Sequence, residues 1–235
     1  MTTLQIPQTV RRCSFPALIQ GMDWQQGEHV TLVGPTGIGK TTVGLALLPK
    51  RDYRAVFASK PRDPLISELA ADYLVIREWP PPEPREAFPH VVLWPRINKV
   101  SQVKRQRNIF ADALAACYLE RGWCVYVDEG RYVFDYLRLG PLGELLWQQG
   151  RTQNISLVTG TQRPYWIPLS AYDQATHLFL WQDSDERNVQ RLADMTPGLS
   201  KGELWDCFLG MGEHDFLYVN TRTKERYVSN VRWEG

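Results

Sequence analysis

Residues Gly34–Thr41, which read Gly-Pro-Thr-Gly-Ile-Gly-Lys-Thr, constrain this chain more than any other stretch. They follow the apolar run His29–Val33 and lead into the helix-compatible residues Thr42–Leu48. A glycine-rich loop between a strand and a helix can turn successive backbone N–H groups towards phosphate oxygens, and the helix start adds a partial positive charge. This spacing is the P-loop pattern and predicts a nucleotide-binding site.

Each polar position of the loop has an expected role. Lys40 should reach the β- and γ-phosphates, and the Thr41 hydroxyl should hold Mg²⁺. An ordinary glycine-rich turn is the alternative, but the apolar strand before the loop and the helix after it favour the P-loop. The predicted nucleotide-contacting residues are Gly34, Pro35, Thr36, Gly37, Ile38, Gly39, Lys40, Thr41 and Thr42.

Composition limits the chain only broadly. Its 27 Lys plus Arg and 26 Asp plus Glu over 235 residues give a formal net charge of +1. This balance does not indicate a nucleic-acid coat or an acidic tail, although it allows a local basic patch. No apolar run is long enough for a signal peptide or a membrane span. The cysteines have no metal-binding spacing, so we expect free thiols in a reducing, cytoplasmic compartment: Cys13, Cys117, Cys124 and Cys207.

Apolar runs alternate with helix-compatible segments, so the sequence predicts an α/β fold with a mainly parallel sheet covered by helices on both faces. Pro49 should end the helix after the P-loop near Leu48, and Ser101 and Ser184 are candidate N-caps of two later helices. The predicted strands are 15–19 (a short edge strand), 29–33, 54–58, 73–76, 90–94, 123–127, 155–159, 176–181, 215–219 and 226–231, the last two as a C-terminal β-hairpin within 214–235.

A second motif follows the P-loop at a distance of about ninety residues. The apolar run Trp123–Val127 ends in Asp128 and Glu129, which is the Walker B arrangement. Asp128 would hold Mg²⁺, directly or through water. Glu129 would polarise a water for attack on the γ-phosphate as a general base. An acidic pair after a strand can also be a solvated turn, but together with the P-loop it predicts an ATP-hydrolysing site.

A glutamine follows the next predicted strand. Because the carboxyl ends of parallel strands face one crevice, Gln162 should reach the γ-phosphate region. Its amide can donate to phosphate and accept from water, which suits a sensor, while an ordinary polar turn before Pro164 is the alternative. The predicted domain organisation is an N-terminal segment, 1–27, and one P-loop ATPase domain, 28–235, with a proline-rich surface loop at 79–89.

The three motifs, Gly34–Thr42, Val125–Glu129 and the strand before Thr161–Pro164, resemble the HerA–FtsK superfamily of hexameric DNA-pumping ATPases over about residues 28–195. The resemblance implies a RecA-like P-loop NTPase of the ASCE type with ATP and Mg²⁺ as cofactors. It also implies a homo-oligomeric ring in which Arg151 is an arginine finger acting on the ATP of a neighbouring subunit. Arg163 is the alternative finger.

The length is similar to that of genome-packaging ATPases of small DNA viruses. The resemblance therefore implies a double-stranded DNA translocase that packages a viral genome in the host cytoplasm, with virion association and a capsid vertex, portal or membrane protein as a docking partner. Alternatives are a small-molecule or nucleotide kinase, a DNA-processing ATPase outside packaging, and a non-hydrolysing assembly module.

A basic cluster without acidic residues is the candidate DNA contact, because translocases grip backbone phosphates with Lys and Arg. A solvated helix face is the alternative. The cluster comprises Arg96, Lys99, Lys104, Arg105 and Arg107.

Overall fold

The structure is a computed structural model that describes residues 6–62, 64–69 and 71–232. The described strands are β1 (Arg11–Arg12), β2 (His29–Val33), β3 (Tyr53–Phe57), β4 (Leu74–Ile76), β5 (His90–Leu93), β6 (Trp123–Val127), β7 (Ser156–Thr161), β8 (Ala175–Trp181), β9 (Asp215–Asn220) and β10 (Arg226–Asn230). They form a ten-stranded sheet in the order β1-β10-β9-β8-β2-β7-β6-β3-β5-β4.

The described α-helices are α1 (Phe15–Gly21), α2 (Lys40–Leu47), α3 (Pro64–Leu69), α4 (Val103–Glu120), α5 (Gly140–Gln149), α6 (Ser170–Asp173), α7 (Glu186–Met195) and α8 (Lys201–Leu209). A π-helix spans Arg131–Tyr136. Short 3₁₀ turns lie at Leu48–Lys50, Val100–Gln102, Gly150–Gln153 and Pro164–Trp166.

The strands from β8 to β4 in the sheet order all run parallel, which confirms the predicted mainly parallel α/β sheet. β2, β6 and β8 are buried along their whole length, as expected for strands that are covered on both faces. β7 lies between β2 and β6. The P-loop strand and the strand that ends before Asp128 are therefore separated by one strand, and all three end at the same edge.

Helices cover both faces of the sheet and create two apolar cores. Alternate residues of β6 face opposite cores, as the strand period of two requires. Val125 and Val127 pack in the core that contains residues of α4, α5, α7 and α8. Cys124 and Tyr126 pack in the core that contains residues of α1, α2 and α3.

The predicted C-terminal hairpin is confirmed. β9 and β10 pair antiparallel, from Asp215 opposite Asn230 to Val219 opposite Arg226, and β9 also pairs antiparallel with β8. β1 extends the sheet beyond the hairpin by pairing in parallel with β10. Part of the N-terminal segment thus adds to the same sheet, and the division of the chain at residue 28 stays a prediction.

The predicted edge strand at 15–19 is wrong, because Phe15–Gly21 forms α1. Pro16 stands in the first turn of this helix, where a missing N–H leaves no hydrogen bond unmade. Leu18 is buried in the apolar core that also contains residues of α2 and α3. One buried side chain in a short segment is compatible with a strand as well as with a helix, so the sequence pattern did not separate the two.

Two predicted helix N-caps are wrong, whereas the predicted end of the helix after the P-loop, near Leu48, agrees with the structure. Ser101 lies inside the 3₁₀ turn Val100–Gln102 and does not cap α4. Asp185, not Ser184, caps α7, and its side chain accepts a hydrogen bond from the Arg187 N–H. The helix after the P-loop ends at Leu47, and Pro49 stands in the 3₁₀ turn that follows.

Helix α8 was not predicted, although its start carries a readable signal. Ser200 and Glu203 form a reciprocal capping box, a pattern that marks helix N-termini in sequences.

The proline-rich loop 79–89 forms neither a helix nor a strand, as predicted. It is held to the domain by aromatic and arginine contacts. Trp79 packs on Trp123 with ring centroids 5.7 Å apart. Arg85 donates to the Arg121 carbonyl, and its guanidinium lies 4.3 Å from the centre of the Tyr53 ring. Among the described helices, none is long and apolar enough to cross a membrane.

Candidate nucleotide-binding site

The phosphate loop connects the end of β2 to the start of α2. Gly37 and Gly39 have φ values of 82° and 108°, which side chains with a Cβ rarely adopt. Gly39 is the N-cap of α2. The Gly34 N–H donates to the Thr161 carbonyl at 3.0 Å, which fastens the loop to the end of β7. The loop is therefore curled at the N-terminus of a helix, as phosphate binding requires.

Lys40 folds back over this loop. Its side chain is largely buried, and the residue is 9% exposed. Nζ donates to the Gly34 carbonyl at 2.7 Å and to the Pro35 carbonyl. Burial lowers the pKa of Lys40, and the charges of Asp128 and Glu129 oppose part of that shift. The ammonium group thus lies at the mouth of the loop, beside two carboxylates.

Asp128 lies next to the predicted magnesium-binding threonine. Thr41 Oγ1 donates to Asp128 Oδ1 at 2.8 Å, and the Tyr126 hydroxyl donates to the same oxygen at 2.7 Å. Mg²⁺ prefers oxygen ligands and retains several waters, so a hydroxyl and a carboxylate beside a phosphate loop fit this ion. The sequence predicted Thr41 and Asp128 but not Tyr126, which holds the carboxylate in place.

Lys60 is a site residue that the sequence did not reveal. It follows β3, and its Nζ lies 3.0 Å from Glu129 Oε1 and 3.3 Å from Asp128 Oδ2. Burial lowers the pKa of Lys60, but the hydrogen bond to Glu129 and the charges of both carboxylates outweigh it, and the net pKa is raised. The sequence signal for Lys60 is weak, because a lysine that follows the carboxyl end of a predicted strand is a common arrangement.

Gln162 lies beside the candidate general base. Its Nε2 is 3.5 Å from Glu129 Oε2, because β6 and β7 are neighbours that end at the same edge. An amide next to a carboxylate can orient a water between them.

The phosphate loop lines a cavity of about 590 Å³ together with Lys40, Thr41, Lys60, Asp128 and Glu129. One end contains Lys60, Asp128 and Glu129. The other end reaches the C-terminal hairpin, at His214, Val231 and Arg232. The phosphate loop and the first turn of α2 lie between the two ends.

The two candidate arginine fingers lie at opposite ends of the parallel strands. Arg151 is in the 3₁₀ turn before β7, and its backbone packs against Gly27, just before β2. The five residues of β2 separate it from its own P-loop by roughly 16 Å at the rise of a strand. Arg163 follows Gln162 at the P-loop edge, with its guanidinium 5.6 Å from the centre of the Trp166 ring.

Beyond Glu129 and Gln162 lies an exposed surface of arginines and aromatic rings, here called the arginine–aromatic surface. The Arg131 guanidinium is 4.0 Å from the centre of the Trp166 ring. Tyr132 and Tyr136 stack with centroids 5.2 Å apart. The surface borders a cavity of about 610 Å³ that Asp135 also lines, and Asp135 forms an ion pair with Arg131. The residues of the surface are Arg131, Tyr132, Tyr136, Arg138, Arg163 and Trp166.

The residues of the predicted basic cluster have different surroundings. Arg105 forms an ion pair with Glu78. Arg107 donates from Nε to the Leu137 carbonyl at 3.0 Å, next to the arginine–aromatic surface. Arg96 lies in a cavity with Arg77 and Trp94. Lys99 lies just before the 3₁₀ turn that precedes α4. Lys104 lies in the first turn of α4 and is exposed.

Together, the sheet order, the curled phosphate loop and the paired carboxylates define a P-loop nucleotide-binding protein with a RecA-like fold. No protein-family model matches the chain. The chain is similar to the DNA packaging ATPase P9 of Enterobacteria phage PRD1, with 23% identity over 173 residues that cover 72% of this chain and 70% of that protein.

Solved structures of a viral genome packaging NTPase and of a conjugation coupling protein share the fold. The genome packaging NTPase B204 of Sulfolobus turreted icosahedral virus 2, in complex with sulfate, has a TM-score of 0.60 at 14% identity, covering 86% of this chain and 95% of that chain. The pCW3 conjugation coupling protein TcpA, with ATPγS, has a TM-score of 0.54 at 12% identity, covering 96% of this chain and 70% of that chain. The predicted resemblance to viral genome-packaging ATPases is confirmed.

Proposed function

We propose that this chain is an ATPase that moves double-stranded DNA, and that it packages a viral genome. The observation that carries this proposal is the position of Glu129, which shares the phosphate-loop cavity and lies 3.5 Å from Gln162. A glutamate and an amide beside the phosphates suit the activation of water. The similarity to a protein named as a DNA packaging ATPase supports DNA as the substrate.

Each residue of the site has a role in this reaction. The loop N–H groups and Lys40 bind and orient the β- and γ-phosphates. Thr41 and Asp128 would hold Mg²⁺, which supplies positive charge that stabilises the phosphate oxygens. Glu129 accepts the proton of the attacking water, and Gln162 orients that water towards the γ-phosphate. The products are ADP and phosphate.

The position of Arg151 supports a ring. At the edge of the sheet away from its own P-loop, Arg151 can serve only the ATP of a neighbouring copy, so the proposed oligomer completes each site at a subunit interface. Mixing the inactive Arg151→Ala and Lys40→Ala proteins should then restore part of the ATPase activity. A mixture as inactive as its components would contradict a finger acting between subunits.

Two surfaces are proposed DNA contacts. The first is the predicted cluster Arg96, Lys99, Lys104, Arg105 and Arg107, although Arg105 is already paired with Glu78. The second is the arginine–aromatic surface, which follows Glu129 and Gln162 directly in the chain and could therefore couple DNA contact to hydrolysis. We further propose action in the host cytoplasm, virion association, and docking on a capsid vertex, portal or membrane protein.

The test is the ATPase rate of the purified protein with and without double-stranded DNA. We expect DNA to stimulate hydrolysis, and Glu129→Gln to lower kcat by about 10²- to 10⁴-fold, because the general base is lost. The exposed loop residue Glu83 provides the control, and Glu83→Gln should leave the rate unchanged. A Glu129→Gln protein that retained phosphoryl transfer to a small acceptor would instead support the kinase alternative. A wild type without turnover would support a non-hydrolysing module.

A further inference from the structure

The C-terminal hairpin closes one end of the nucleotide cavity. In the sheet order, β6 with the catalytic carboxylates lies on one side of β2, and β9 and β10 lie on the other. The γ-phosphate belongs at Glu129, and the start of α2 faces the phosphates nearer the nucleoside. A nucleoside triphosphate in this cavity must therefore direct its base and ribose towards the hairpin.

His214 is one of the groups that line this end of the cavity. Its side chain is 9% exposed, and among the described residues neither ring nitrogen has a hydrogen-bond partner. The Glu213 carboxylate lies 3.4 Å from Nε2 but is itself 84% exposed. A buried polar group without a hydrogen-bond partner is unfavourable. A ligand that hydrogen-bonds the imidazole would remove that cost.

The backbone of His214 has a left-handed conformation. Its φ is 65°, and histidine is one of the residues other than glycine that adopt this region more often than most. In this conformation, His214 lines the wall of the cavity.

Val231 and Arg232 complete the wall. A Cβ at Gly39 would lie 2.7 Å from the Val231 side chain, so Val231 packs directly on the phosphate loop and offers it an apolar surface. The Arg232 N–H donates to Asn230 Oδ1 at 2.8 Å, which fixes the end of the hairpin. An apolar side chain and a guanidinium are the groups on which a flat nucleobase can stack.

We propose that His214, Val231 and Arg232 form the subsite for the nucleoside half of the nucleotide. The base packs on Val231, and the His214 imidazole forms one hydrogen bond with the base or the ribose. The Arg232 guanidinium stacks on the face of the base that is open to solvent. This proposal rests on the nucleotide binding of the proposed function and assigns a role to the hairpin.

The test compares ATP with inorganic tripolyphosphate, which offers the same phosphate chain without a nucleoside. Dissociation constants are measured by isothermal titration calorimetry with Mg²⁺. We expect His214→Ala to weaken ATP binding by about five- to tenfold, from the loss of one hydrogen bond, and to leave tripolyphosphate binding unchanged. Glu213→Ala is the matched control, and it should change neither affinity.

A second variant distinguishes the loss of the subsite from the loss of the fold. Val231→Ala should also weaken ATP but not tripolyphosphate, and retained tripolyphosphate binding shows that the phosphate loop is intact. Equal losses for both ligands, or no loss of ATP affinity in either variant, would overturn the subsite. A wild type that bound neither ligand would instead overturn the proposed nucleotide site itself.

Discussion

Lys60 Nζ lies 3.0 Å from Glu129 Oε1 and 3.3 Å from Asp128 Oδ2, so a single ammonium group bridges the two acidic residues of the site. β3 and β6 are parallel neighbours, and Lys60 reaches the carboxylates from beyond the end of β3. The bridge offsets the repulsion between two adjacent negative charges. In the proposed site, Lys60 would also compete with Mg²⁺ for the Asp128 carboxylate.

Removal of this bridge should strengthen the binding of Mg²⁺. Without the ammonium charge, the site becomes more negative, and we expect Lys60→Met to lower the Mg²⁺ concentration needed for half-maximal nucleotide binding on the order of fivefold, a modest effect because Lys60 is partly exposed. The measurement is a Mg²⁺ titration with a fluorescent ATP analogue. Lys104→Met, at an exposed position of α4, should have no effect. An unchanged or increased Mg²⁺ requirement in Lys60→Met would rule out competition between Lys60 and the metal.

Gly44 should be intolerant of a side chain. A Cβ there would lie 2.5 Å from the Tyr126 ring, and Tyr126 holds Asp128 in position. We expect Gly44→Ala to destabilise the fold by about 1–3 kcal/mol through overpacking and to reduce ATPase activity. Urea unfolding and steady-state rates measure the two effects.

The matched control for Gly44 is another helical glycine. A Cβ at Gly202 would meet no atom within 4 Å, so Gly202→Ala should be neutral or stabilise α8 by about 0.5–1 kcal/mol. If both alanine variants were equally stable, the close packing of α2 on Tyr126 would be refuted.

His29 should make the fold sensitive to mild acid. Leu157 N–H donates to Nδ1 at 3.0 Å, and Nε2 lies 3.1 Å from the Trp147 carbonyl, which suits a neutral ring. Burial lowers the pKa of His29 from 6.5 to about 4. As the pH falls, the unfolded chain therefore binds the proton before the folded protein does. The contribution of neutral His29 to the free energy of unfolding is fully present above pH 6.5 and is lost as the pH falls from 6.5 towards 4.

The expected loss for His29 is about 2 kcal/mol between pH 7 and pH 5. Urea unfolding of wild type and His29→Gln at both pH values isolates it, because the two proteins share every other titrating group. We expect a smaller decrease in the variant by about that amount. Equal decreases in the free energy of unfolding of the two proteins would show that His29 does not titrate in this way.

The sequence predicted the phosphate-binding part of the site because its information is local. The P-loop and the Asp128-Glu129 pair are short, contiguous patterns, and the meeting of Gln162 with Glu129 follows from parallel strands ending at one edge. Lys60, Tyr126 and His214 carry no such pattern. Their positions depend on strand order and on the way the hairpin folds back, which are long-range properties of the chain.

The same division holds for the secondary structure. Long apolar runs such as β6 and β8 were predictable because burial on both faces leaves few polar residues. The segment 15–19 was misassigned because five residues with one buried side chain do not distinguish a period of 2 from one of 3.6. Helix α8 has a capping box that is readable in the sequence, but its short, mixed composition gives no clear helical pattern.

The choice between the two DNA surfaces can be made from salt dependence. Each lost phosphate contact should reduce the slope of log K against log salt by about 0.9. If the arginine–aromatic surface grips DNA, Arg131→Ala with Arg138→Ala reduces the slope by nearly 2 and Lys99→Ala with Lys104→Ala does not. Fluorescence anisotropy with duplex DNA from 50 to 200 mM salt measures both. The reverse pattern would assign the grip to the basic cluster.

The proposed function requires movement along DNA, and displacement of a triplex-forming strand measures that movement. A duplex carrying a bound third strand is incubated with the protein, ATP and Mg²⁺, and release of the labelled strand is followed by gel electrophoresis. We predict release that requires ATP hydrolysis and disappears in Glu129→Gln, which should still bind nucleotide. ATP hydrolysis that is stimulated by DNA but never releases the third strand would contradict translocation.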